Sequence, residues 1–378
     1  MLKVLYDHQA FDMQMYGGVS NRAVQLISNL PNDIEVRFGV KKSQNIHLLE
    51  SHMGNFKVPL LSNFERLLNG KHYFGKNVLH YYLQMYLQKM NRRYSKDLLK
   101  SGYYDIFHPT FFDWYFVNYL QSKPFVLTIH DLTAELYFSQ DDQQVKARKL
   151  LMGKAAHIVV NSKYTYNQVV DYYNVSESKI SVVYCGAPEH INFSKQKCFE
   201  FDYLLYVGDR CTSYKNFIPM LNNIRDFLLC HKNIKLLCTG KPFSQEEISI
   251  MSKMGIFNCV LHQNCTQSEL FNLYSNALCF IYPSLNEGFG MPILEAFSVN
   301  CPVFLSRRSC FPEIAADAAV YFELDNKSGN LSEKLEEFLK WDAPQKESLL
   351  KRQRERLRCF SWKESAIRLS NIYQSICE

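Results

Sequence analysis

Two glutamates with seven residues between them stand in the segment PSLNEGFGMPILEAF, residues 283–297. Glu287 precedes a predicted helix and Glu295 lies a little over one turn inside it. Pro292 suits the first turn of that helix, where its missing N–H is not needed. The amides around Gly290 and the helix dipole favour an anion there. The carboxylates cannot bind a phosphate, but they accept hydrogen bonds from hydroxyls such as those of a sugar and a ribose. The alternative is a glycine turn into a capped helix with solvated glutamates.

A cationic loop follows a predicted strand in LLYVGDRCTSYKN, residues 204–216. The strand ends at Gly208, and Arg210 and Lys215 lie before the next predicted helix. Arginine offers a rigid fork of donors and lysine a point charge, so the two together can neutralise a diphosphate. Taken alone, the pair fits ordinary surface charge equally well. Because the Glu287–Glu295 segment follows another strand of the same predicted sheet, a ligand site is favoured over ordinary surface charge.

Two weaker signals lie in the first half of the chain. Gly17 and Gly18, in YGGVSNR, follow the first predicted strand and open a helix, as a loop that approaches a phosphate does. The spacing is not GxGxxG, so it indicates no dinucleotide fingerprint, and a tight turn is the alternative. His130, in LTIHDLTAELY, follows another strand and so lies at a sheet edge where ligands bind, although a single histidine is more often structural.

The elements that must position these residues alternate between strand-like apolar runs and helical patterns, which predicts an α/β protein with parallel sheets. The predicted strands of the first half are Lys3–Tyr6, Ile34–Val40, Asp105–His108, Phe125–His130, His157–Asn161 and Ile180–Tyr184. Those of the second half are Tyr203–Gly208, Ile234–Thr239, Asn258–Leu261, Leu278–Pro283, Pro302–Leu305 and Ala319–Phe322.

The polar stretch Gly186–Asp202 interrupts this alternation and is interpreted as a linker. The pattern therefore predicts one domain over residues 1–190 and another over 200–360. A C-terminal helix over 361–378 is expected to pack back towards the first domain. Two open α/β sheets leave a cleft at the carboxyl ends of their strands, where ligands bind in such folds.

Length and composition agree with two soluble domains. At roughly 150 residues per domain, 378 residues suggest two. With 47% hydrophobic and 21% charged residues, the chain can form cores and is not disordered. No apolar run reaches the roughly 18 residues of a membrane span. The acidic residues of MLKVLYDHQAFD come too early for a signal peptide, so a cytoplasmic protein is expected.

The twelve cysteines all lie between Cys185 and Cys377, and none forms a CxxC pair. A chain of this size without an export signal favours reduced thiols over disulfides. A structural zinc site needs closely spaced ligand pairs, so no metal site is predicted. Most of the cysteines lie in apolar runs and are interpreted as small core residues.

The net charge of +6 comes from one segment of the chain. Between Glu65 and Lys100, eight basic residues oppose two acidic ones, so this segment has the whole excess of +6. It is also rich in Tyr, Leu and Met, as in HYYLQMYLQKM. A basic, aromatic, amphipathic helix suits an anionic membrane surface, and an ordinary helix with a solvated cationic face is the alternative. No nucleic-acid partner is predicted, because no nucleic-acid-binding motif is present.

The carboxyl-terminal motifs resemble those of the family 4 retaining glycosyltransferases. The Glu-x7-Glu motif of that family is matched by Glu287-GFGMPIL-Glu295. Its glycine–arginine–lysine loop is similar to Gly208, Arg210 and Lys215, with YKN as in mannosyltransferase-like members. The resemblance implies the GT-B fold, in which two Rossmann-like domains face each other across a cleft.

The amino-terminal motifs are less specific. The family's glycine loop is similar to Gly17–Gly18–Val19–Ser20, and its N-domain histidine to His130. Further matches are VNSKYT at 160–165, KISVVYCG at 179–186 and FPEIAADAAVYF at 311–322. The resemblance covers nearly the whole chain.

The family implies catalytic roles at the matching positions. Arg210 and Lys215 would hold the diphosphate of the donor and stabilise the leaving nucleotide. Glu287 would contact hydroxyls of the transferred sugar, and His130 would lie near that sugar. Glu295 would bind the ribose of the nucleotide.

The family also implies donor-binding backbone groups. The amides of Phe289, Gly290 and Met291 would bind sugar and phosphate, and the loop at Gly17 and Gly18 would close on the donor. Gly208 would shape the loop that carries the two cations.

This chain departs from the family's pattern at three places. Asn300 and Ala316 stand where the family often has glycine, so both turns are expected to differ. Asp209 follows Gly208, which places Arg210 one residue later than in many members and shifts the register of the phosphate clamp.

The implied reaction needs no resident cofactor, because the nucleotide-diphosphate sugar is a substrate. Charge that builds on the leaving diphosphate can be stabilised by two cations and a helix terminus. No DxD motif stands beside the site, so metal independence is predicted. By resemblance the anomeric configuration is retained, with the leaving phosphate oxygen taking the proton of the acceptor.

The sequence favours GDP-mannose as donor, through the YKN resemblance, and a lipid-linked saccharide of a bacterial surface polysaccharide such as lipopolysaccharide as acceptor. The basic segment would hold the protein at the inner face of the plasma membrane. Three rivals stay open at this point: a retaining glycosidase, a sugar-nucleotide epimerase on the same fold, and a non-catalytic nucleotide-sugar-binding protein.

Overall fold

The computed structural model describes residues 1–13, 15–51, 53–54, 56–57, 76–139, 142–189, 196–325 and 329–378, with the backbone alone for 76–80. These residues divide into two units. The first unit consists of Met1–Asn161, Thr165–Cys185 and Trp362–Glu378, and the second of Ser162–Tyr164 and Gly186–Ser361. Each unit contains parallel β-sheet and helices, so the α/β fold expected from the sequence is confirmed.

The strands of both units are short and largely buried. Those of the first unit are β1 (Leu2–Tyr6), β2 (Ile34–Phe38), β3 (Ile106–His108), β4 (Val126–Ile129), β5 (His157–Val160) and β6 (Ile180–Val182). Those of the second are β7 (Asp202–Tyr206), β8 (Ile234–Thr239), β9 (Val260–Gln263), β10 (Cys279–Tyr282), β11 (Val303–Ser306) and β12 (Val320–Phe322). The predicted strands are all confirmed, with ends that agree within two residues.

Helices connect these strands. The first half contains α1 (Gln9–Met13), α2 (Gly18–Ser28), α3 (Ile46–Glu50), α4 (Lys76–Ser101), α5 (Thr133–Tyr137), α6 (Gln143–Lys154) and α7 (Lys163–Tyr173). The second half contains α8 (Phe217–Cys230), α9 (Gln245–Lys253), α10 (Gln267–Asn276), α11 (Met291–Ser298), α12 (Phe311–Ala315), α13 (Leu331–Leu339), α14 (Ala343–Leu357) and α15 (Trp362–Cys377). Short 3₁₀ helices occur at Val117–Tyr119, Glu177–Lys179, Ser213–Lys215 and Phe257–Cys259.

The sheet of the first unit has the strand order β2-β1-β3 followed by β4-β5-β6, all parallel. One parallel bridge, between Phe107 and Phe125, joins β3 to the start of β4. The chain moves from β1 to β2 on one side and then crosses back to β3 on the other. Loops that leave β1 and β3 therefore diverge, and such a reversal opens a crevice at the carboxyl edge of the sheet.

The second unit repeats this arrangement with the strand order β12-β11-β10-β7-β8-β9. Its chain moves outward from β7 through β8 to β9 and then returns to β10, which pairs with β7 on the other side. The reversal lies between β7 and β10. The loops after these two strands are the ones that carry Lys215 and Glu287, so both motifs leave the sheet at its ligand-binding edge.

Apolar runs explain why these segments are strands. The sequences VLTI in β4 and CFIY in β10 have no exposed position, as expected for parallel strands covered by helices on both faces. Helix α8 buries one full apolar stripe, with Phe217, Met220, Leu221, Ile224, Phe227 and Leu228 inside. Burying each large apolar side chain contributes about 1.5–3 kcal/mol.

The two positions where the family often has glycine keep a glycine-like backbone. Asn300 has a φ of 56° and Ala316 a φ of 48°. That these turns differ from those of the family stays a prediction. Asn300 has the positive φ of the left-handed region, where a side chain costs about 1–2 kcal/mol. Ala316, with a ψ of −122°, lies in another positive-φ conformation that side chains rarely adopt.

The C-terminal helix α15 belongs to the first unit, where it ends in a buried polar network. The Tyr373 hydroxyl contacts the Tyr6 hydroxyl and lies 2.5 Å from His108 Nδ1. His108 Nε2 lies 2.8 Å from the hydroxyl of Thr128. Burial lowers the pKa of His108 to about 3, with the charge of Arg22 adding to the effect. A neutral imidazole thus ties β3, β4 and α15 together.

We predict that Tyr373→Phe destabilises the first unit, because it leaves His108 Nδ1 buried without its partner. The expected loss is about 1–3 kcal/mol. Differential scanning calorimetry should show a lower melting temperature, by about 2–4 °C for each kcal/mol. Tyr103→Phe is the matched control, since that ring is half-exposed. Identical melting temperatures for Tyr373→Phe and the native protein would show that the network does not stabilise the unit.

Candidate active site

The second unit places Lys215 and Glu287 against each other at the carboxyl edge of its sheet. Lys215 ends the 3₁₀ helix Ser213–Lys215 after β7, and Glu287 lies in the loop after β10. Their Nζ and Oε1 atoms are 2.6 Å apart, and the two side chains are only 16% and 15% exposed. The structure thus brings together two residues that are 72 positions apart in the sequence.

Neighbouring tyrosines fix this ion pair. The Tyr282 hydroxyl makes a hydrogen bond with the carboxylate of Glu287, and burial with that negative charge raises the pKa of Tyr282 well above its usual value. Lys215 Nζ lies 5.1 Å from the ring centre of Tyr214. The two loops are joined directly as well, because Leu285 N donates to Tyr214 O at 2.7 Å. Lysine and glutamate are therefore held at a defined separation.

Helix α11 begins beside this pair. Gly290 is its N-cap with a φ of 81°, and a Cβ there would lie 3.1 Å from Ile293 Cδ1 and from Phe311 Cε1. Both the positive φ and the lack of space for a Cβ favour glycine at position 290. Phe289 is buried and packs edge-to-face on Phe360, with ring centres 5.6 Å apart. The first amides of a helix have no acceptor within it, so the end that starts at Met291 favours an anion.

Glu295 lies one turn into α11 and is half-buried. The Tyr274 hydroxyl donates to its Oε2 at 3.5 Å, and the side chain of Gln267 also makes a hydrogen bond with it. Burial raises the pKa of Glu295 to about 7, against these two hydrogen bonds. The carboxyl group is thus poised between its neutral and charged forms near physiological pH.

Arg210 is bound inside the unit and not at the Lys215–Glu287 pair. Its Nε donates to Glu247 at 2.7 Å, and its Nη1 to Thr239 O at 3.2 Å. Its Nη2 donates to Lys241 O and Pro242 O. The side chain is 2% exposed. The predicted clamp of two cations is therefore divided in this structure: Lys215 lies at the edge, whereas Arg210 reaches a ligand only by giving up internal bonds. Its phosphate-binding role stays a prediction.

The bonds of Arg210 shape the loops around Gly208. They hold the turn after β8 close to the turn after β7, and a Cβ on Gly240 would lie 3.0 Å from Gly208 O. Glu247, which pairs with Arg210, also completes the capping box of α9 through Ser244. Although burial opposes it, the Ser244 and Arg210 hydrogen bonds lower the pKa of Glu247.

In the first unit, Gly17 and Gly18 lie where α2 begins. Gly18 is the first helical residue, and Gly17 precedes it with an extended backbone, so neither needs a left-handed conformation. Asn21 N and the Ser20 hydroxyl both donate to Gly17 O, which fixes the first turn. The loop thus presents a helix N-terminus, as expected from the sequence.

His130 follows β4 and lines a recess of the first unit together with Arg22 and His108. Burial lowers the pKa of His130 to about 3, with further lowering by the charges of Arg22 and Arg148. The imidazole is therefore neutral at physiological pH. A neutral histidine beside a cation can donate or accept a hydrogen bond but does not supply a positive charge.

Sequence reasoning overlooked several residues around these sites. Arg22 lies within the quoted YGGVSNR segment, but nothing in its spacing distinguished it from a surface cation. Glu247 and Tyr274 sit in amphipathic helices, where their partners follow only from the three-dimensional packing. The available signal was the capping-box pattern SQEE at 244–247. It indicates a helix start at which the side chain of Glu247 accepts from a backbone N–H.

Among the described residues, no three histidine, cysteine, aspartate or glutamate side chains are grouped as metal ligands would be. None of the helices in the described ranges is long and apolar enough to cross a lipid bilayer.

Two Rossmann-like units with a glutamate-x7-glutamate segment at a sheet edge define a class, the GT-B glycosyltransferases. A family model described as glycosyl transferases group 1 matches residues 189–356. A second, described as glycosyltransferase family 4, matches residues 16–189. The two matches together run from residue 16 to residue 356, and the chain belongs to the group 1, family 4 glycosyltransferases.

Curated relatives include mannosyltransferases. The O-antigen chain mannosyltransferase RfbU of Salmonella typhimurium is 29% identical over 53% of this chain and 57% of that protein. The O-antigen chain mannosyltransferase B of Escherichia coli is 33% identical over 28% of this chain and 27% of that protein. The match thus spans little more than half the length of the first relative and about a quarter of the second.

Solved structures share the fold over the whole chain. Sucrose-phosphate synthase from Thermosynechococcus elongatus has a TM-score of 0.70 and 15% identity, with 100% of this chain and 99% of that chain covered. Anabaena Alr3699/HepE in complex with UDP and glucose has a TM-score of 0.72 and 14% identity, with 99% and 100% covered. At such identities the likeness establishes the GT-B fold alone.

The raised pKa of Glu295 gives a prediction about stability. In the unfolded chain its carboxyl ionises near pH 4.5, whereas in the folded protein it ionises near pH 7. The folded state therefore binds more protons between these values, and the stability contributed by this group falls as the pH rises from about 4.5 to 7. Glu295→Gln removes that loss, so it should stabilise the protein at pH 8 by on the order of 1 kcal/mol and much less at pH 5.

Thermal unfolding of Glu295→Gln at both pH values checks this. Glu333→Gln, an exposed glutamate of α13, is the matched control and should change neither value. A variant that is destabilised equally at pH 5 and pH 8 would mean that the carboxylate is charged and stabilising in the folded protein.

Proposed function

We propose that the protein transfers a sugar from a nucleotide-diphosphate sugar to a saccharide or lipid-linked acceptor. One observation carries the proposal: Lys215 and Glu287 form a largely buried ion pair at the point where the strand order of the second sheet reverses. A cation there suits a diphosphate, and a carboxylate suits sugar hydroxyls. Membership of the glycosyltransferase family supports the same reading.

The donor replaces each partner of the ion pair. The diphosphate binds Lys215 and the N-terminal amides of α11, contributed by Phe289, Gly290 and Met291. Glu287 then accepts hydrogen bonds from hydroxyls of the transferred sugar. Glu295, one turn further along, accepts from the ribose. The two carboxylates near the phosphate site thus accept hydrogen bonds from hydroxyls and do not contact the diphosphate.

The reaction breaks the bond between the anomeric carbon and the terminal phosphate oxygen of the donor. Positive charge develops on the sugar ring, and negative charge on the nucleoside diphosphate. Lys215 and the helix terminus stabilise that negative charge as it grows. The acceptor hydroxyl forms the new bond on the same face, and its proton passes to the leaving phosphate oxygen. The configuration is retained, and no nucleophile of the protein and no metal ion takes part.

Mannose is the proposed sugar, with GDP-mannose as donor. Two of the relatives are named O-antigen chain mannosyltransferases, and the YKN sequence at 214–216 is of the mannosyltransferase-like type. The acceptor proposed from the same relatives is a growing surface polysaccharide on a lipid carrier. UDP is a ligand of the similar Anabaena protein and does not identify the nucleotide that this protein uses.

The rival functions predict different substrate requirements. A sugar-nucleotide epimerase converts the donor with no acceptor, and a binding protein takes up the donor without turnover. A retaining glycosidase needs two carboxylates on opposite sides of the scissile bond. Here one of them, Glu287, is bound to a lysine beside a helix N-terminus, which favours a phosphorylated donor.

A panel of nucleotide sugars tests the proposal. GDP-mannose, GDP, UDP-glucose and UDP-N-acetylglucosamine are compared by thermal shift, where a matched donor at a hundredfold its dissociation constant adds about 2.7 kcal/mol. Release of nucleoside diphosphate from the matched donor is then measured with and without saccharide acceptors. Release that depends on an acceptor supports a transferase. If no nucleotide sugar stabilises the protein, the proposal fails.

We predict that Lys215→Met lowers kcat by on the order of a hundred- to a thousandfold, because the charge of Lys215 matters most as the diphosphate leaves. Lys253→Met, an exposed lysine of α9, is the control and should be fully active. EDTA should leave the rate unchanged. If activity is lost in EDTA and returns with Mg²⁺ or Mn²⁺, a metal ion and not Lys215 neutralises the leaving group.

We further propose that helix α4 holds the first unit on an anionic membrane surface. Four large apolar side chains near its start are exposed: Tyr81, Tyr82, Met85 and Tyr86. The intervening Leu83 and Leu87 are buried against the unit. The helix is therefore amphipathic in an unusual way, with aromatic residues on the face that points away from the core.

Exposed cations continue this aromatic face along the helix. Lys89 and Arg93 are exposed and follow Tyr82 and Tyr86 at spacings that return to one side of a helix. Aromatic side chains insert at the lipid headgroup level and cations attract anionic headgroups, so the combination suits a membrane surface.

Other cations of the basic segment are already engaged. Arg92 pairs with Asp113 at 3.2 Å, and Lys96 lies 5.0 Å from the ring centre of Tyr119. These two belong to the packing of the unit. Residues 58–75, which include further basic residues of the segment, lie outside the described residues, so the proposal rests on Lys89 and Arg93.

We predict that changing Lys89 and Arg93 together to glutamine releases the protein from vesicles with anionic lipid. Each cation near such a surface contributes about 1 kcal/mol, so binding should weaken by roughly tenfold or more. Sedimentation with anionic and neutral vesicles at low and high salt measures this, since salt screens the attraction. The control changes Lys149 and Lys154, exposed cations of α6, to glutamine. Equal pelleting with neutral and anionic vesicles would show that α4 is an ordinary helix with a solvated cationic face.

A further inference from the structure

Arg22 is a buried cation without a buried anion. It lies in α2 of the first unit and is 3% exposed. Its Nη2 donates to Val183 O at 2.9 Å, and the thiol of Cys185 is a second, weak partner. Its Nε is buried with no partner. Within the described part of the chain, no carboxylate forms an ion pair with it. The positive charge is therefore enclosed but not compensated.

The neighbours of Arg22 do not balance this charge. Both nitrogens of His108 are engaged, by Tyr373 and Thr128, and this imidazole is neutral. His130 is neutral as well, with a pKa lowered to about 3 by burial and by the charge of Arg22. Nearby polar groups thus supply hydrogen bonds but no negative charge.

Asp7 is a buried carboxylate at this edge of the sheet, and it is already used. Its two oxygens accept from Gln9, from the amide and hydroxyl of Thr110, and from the Tyr115 hydroxyl. It does not pair with Arg22. Asp7 is thus fully hydrogen-bonded, whereas Arg22 has a buried Nε without a partner. A buried cation that no acid balances is the arrangement expected of a site for an incoming anion.

Arg22 also borders an open space. The recess opens to solvent and is lined by Arg22, Val19, His108, Thr128 and His130 among others. Val19, Ala23 and Leu26 line the same recess, so it runs along one side of α2. A guanidinium that borders such a recess can receive an oxyanion.

An unpaired buried charge is costly, and natural proteins keep such costs mainly at functional sites. We propose that this recess binds a phosphate group of the acceptor, through Arg22 and an N–H of neutral His130. The assignment to the acceptor rests on the proposed transferase. The anion site itself does not, because it follows from Arg22 and the recess alone.

The test uses the full chain and phosphate probes. Because Lys215 also binds phosphates in the proposed function, the measurements are made in a Lys215→Met background. Binding of inorganic phosphate, pyrophosphate and a short-chain prenyl diphosphate is followed by calorimetry with Arg22 and with Arg22→Met. Arg368→Met removes an exposed cation of α15 in the same unit and is the matched control. Arg22→Lys tests rescue by charge.

Arg22→Met should weaken pyrophosphate binding at least tenfold, Arg22→Lys should restore part of it, and Arg368→Met should change nothing. The melting temperature of Arg22→Met should equal or exceed that of the parent, because an uncompensated charge has been removed. Unchanged pyrophosphate affinity in Arg22→Met would overturn the proposal. A lower melting temperature with unchanged affinity would identify Arg22 as a structural tether to Val183, and so would also overturn it.

The probes separate an acceptor phosphate from free phosphate. Prenyl diphosphate that binds at least tenfold more tightly than pyrophosphate supports the acceptor assignment. Equal affinities would overturn that assignment and leave a site for free phosphate. Nucleotide-sugar binding, measured with Lys215 intact, should be the same in Arg22→Met. If the native protein binds no nucleotide sugar, the proposed function fails while the phosphate result stands.

Discussion

The ion pair between Lys215 and Glu287 joins the two loops that leave the second sheet where its strand order reverses. Two charges held this far from solvent lose hydration, and their attraction offsets that loss only in part. In the proposed function, a donor brings a diphosphate to the lysine and hydroxyls to the glutamate, and so replaces the partner of each group. Tyr282, the left-handed Gly290 and the start of α11 all hold this pair in position.

Buried cations elsewhere in the molecule follow two patterns. Arg210 is neutralised by Glu247 and bonded to three carbonyls, so it shapes the loops after β7 and β8. Arg22 is as buried, but among the described residues no carboxylate pairs with it. The difference separates a cation that is neutralised within the protein from the one that we propose binds an anion. It also suggests that each unit has its own anion site at the edge of its own sheet.

The strands, the unit order and the Glu287–Glu295 segment were predictable because their signals are local. Apolar runs between helical patterns mark strands, and Pro292 with Gly290 marks a helix start. The bonds of Arg210 were not predictable, since Glu247 and the turn after β8 approach it only in the folded sheet. The uncompensated charge of Arg22 could not be seen either. Its exposure and the absence of an acid beside it are properties of packing, and the sequence around it shows only a cation near two glycines.

The most direct test of this account is the effect of Glu287→Gln on two ligands, measured by calorimetry. In the proposed function Glu287 binds the sugar and Lys215 the diphosphate, and in this structure the two residues pair with each other. Glu287→Gln should therefore weaken the matched nucleotide sugar by about tenfold or more, as expected for a lost charged hydrogen bond. It should leave the nucleoside diphosphate bound as tightly as before, or more tightly, because Lys215 is released. Equal weakening of both ligands would contradict the assignment.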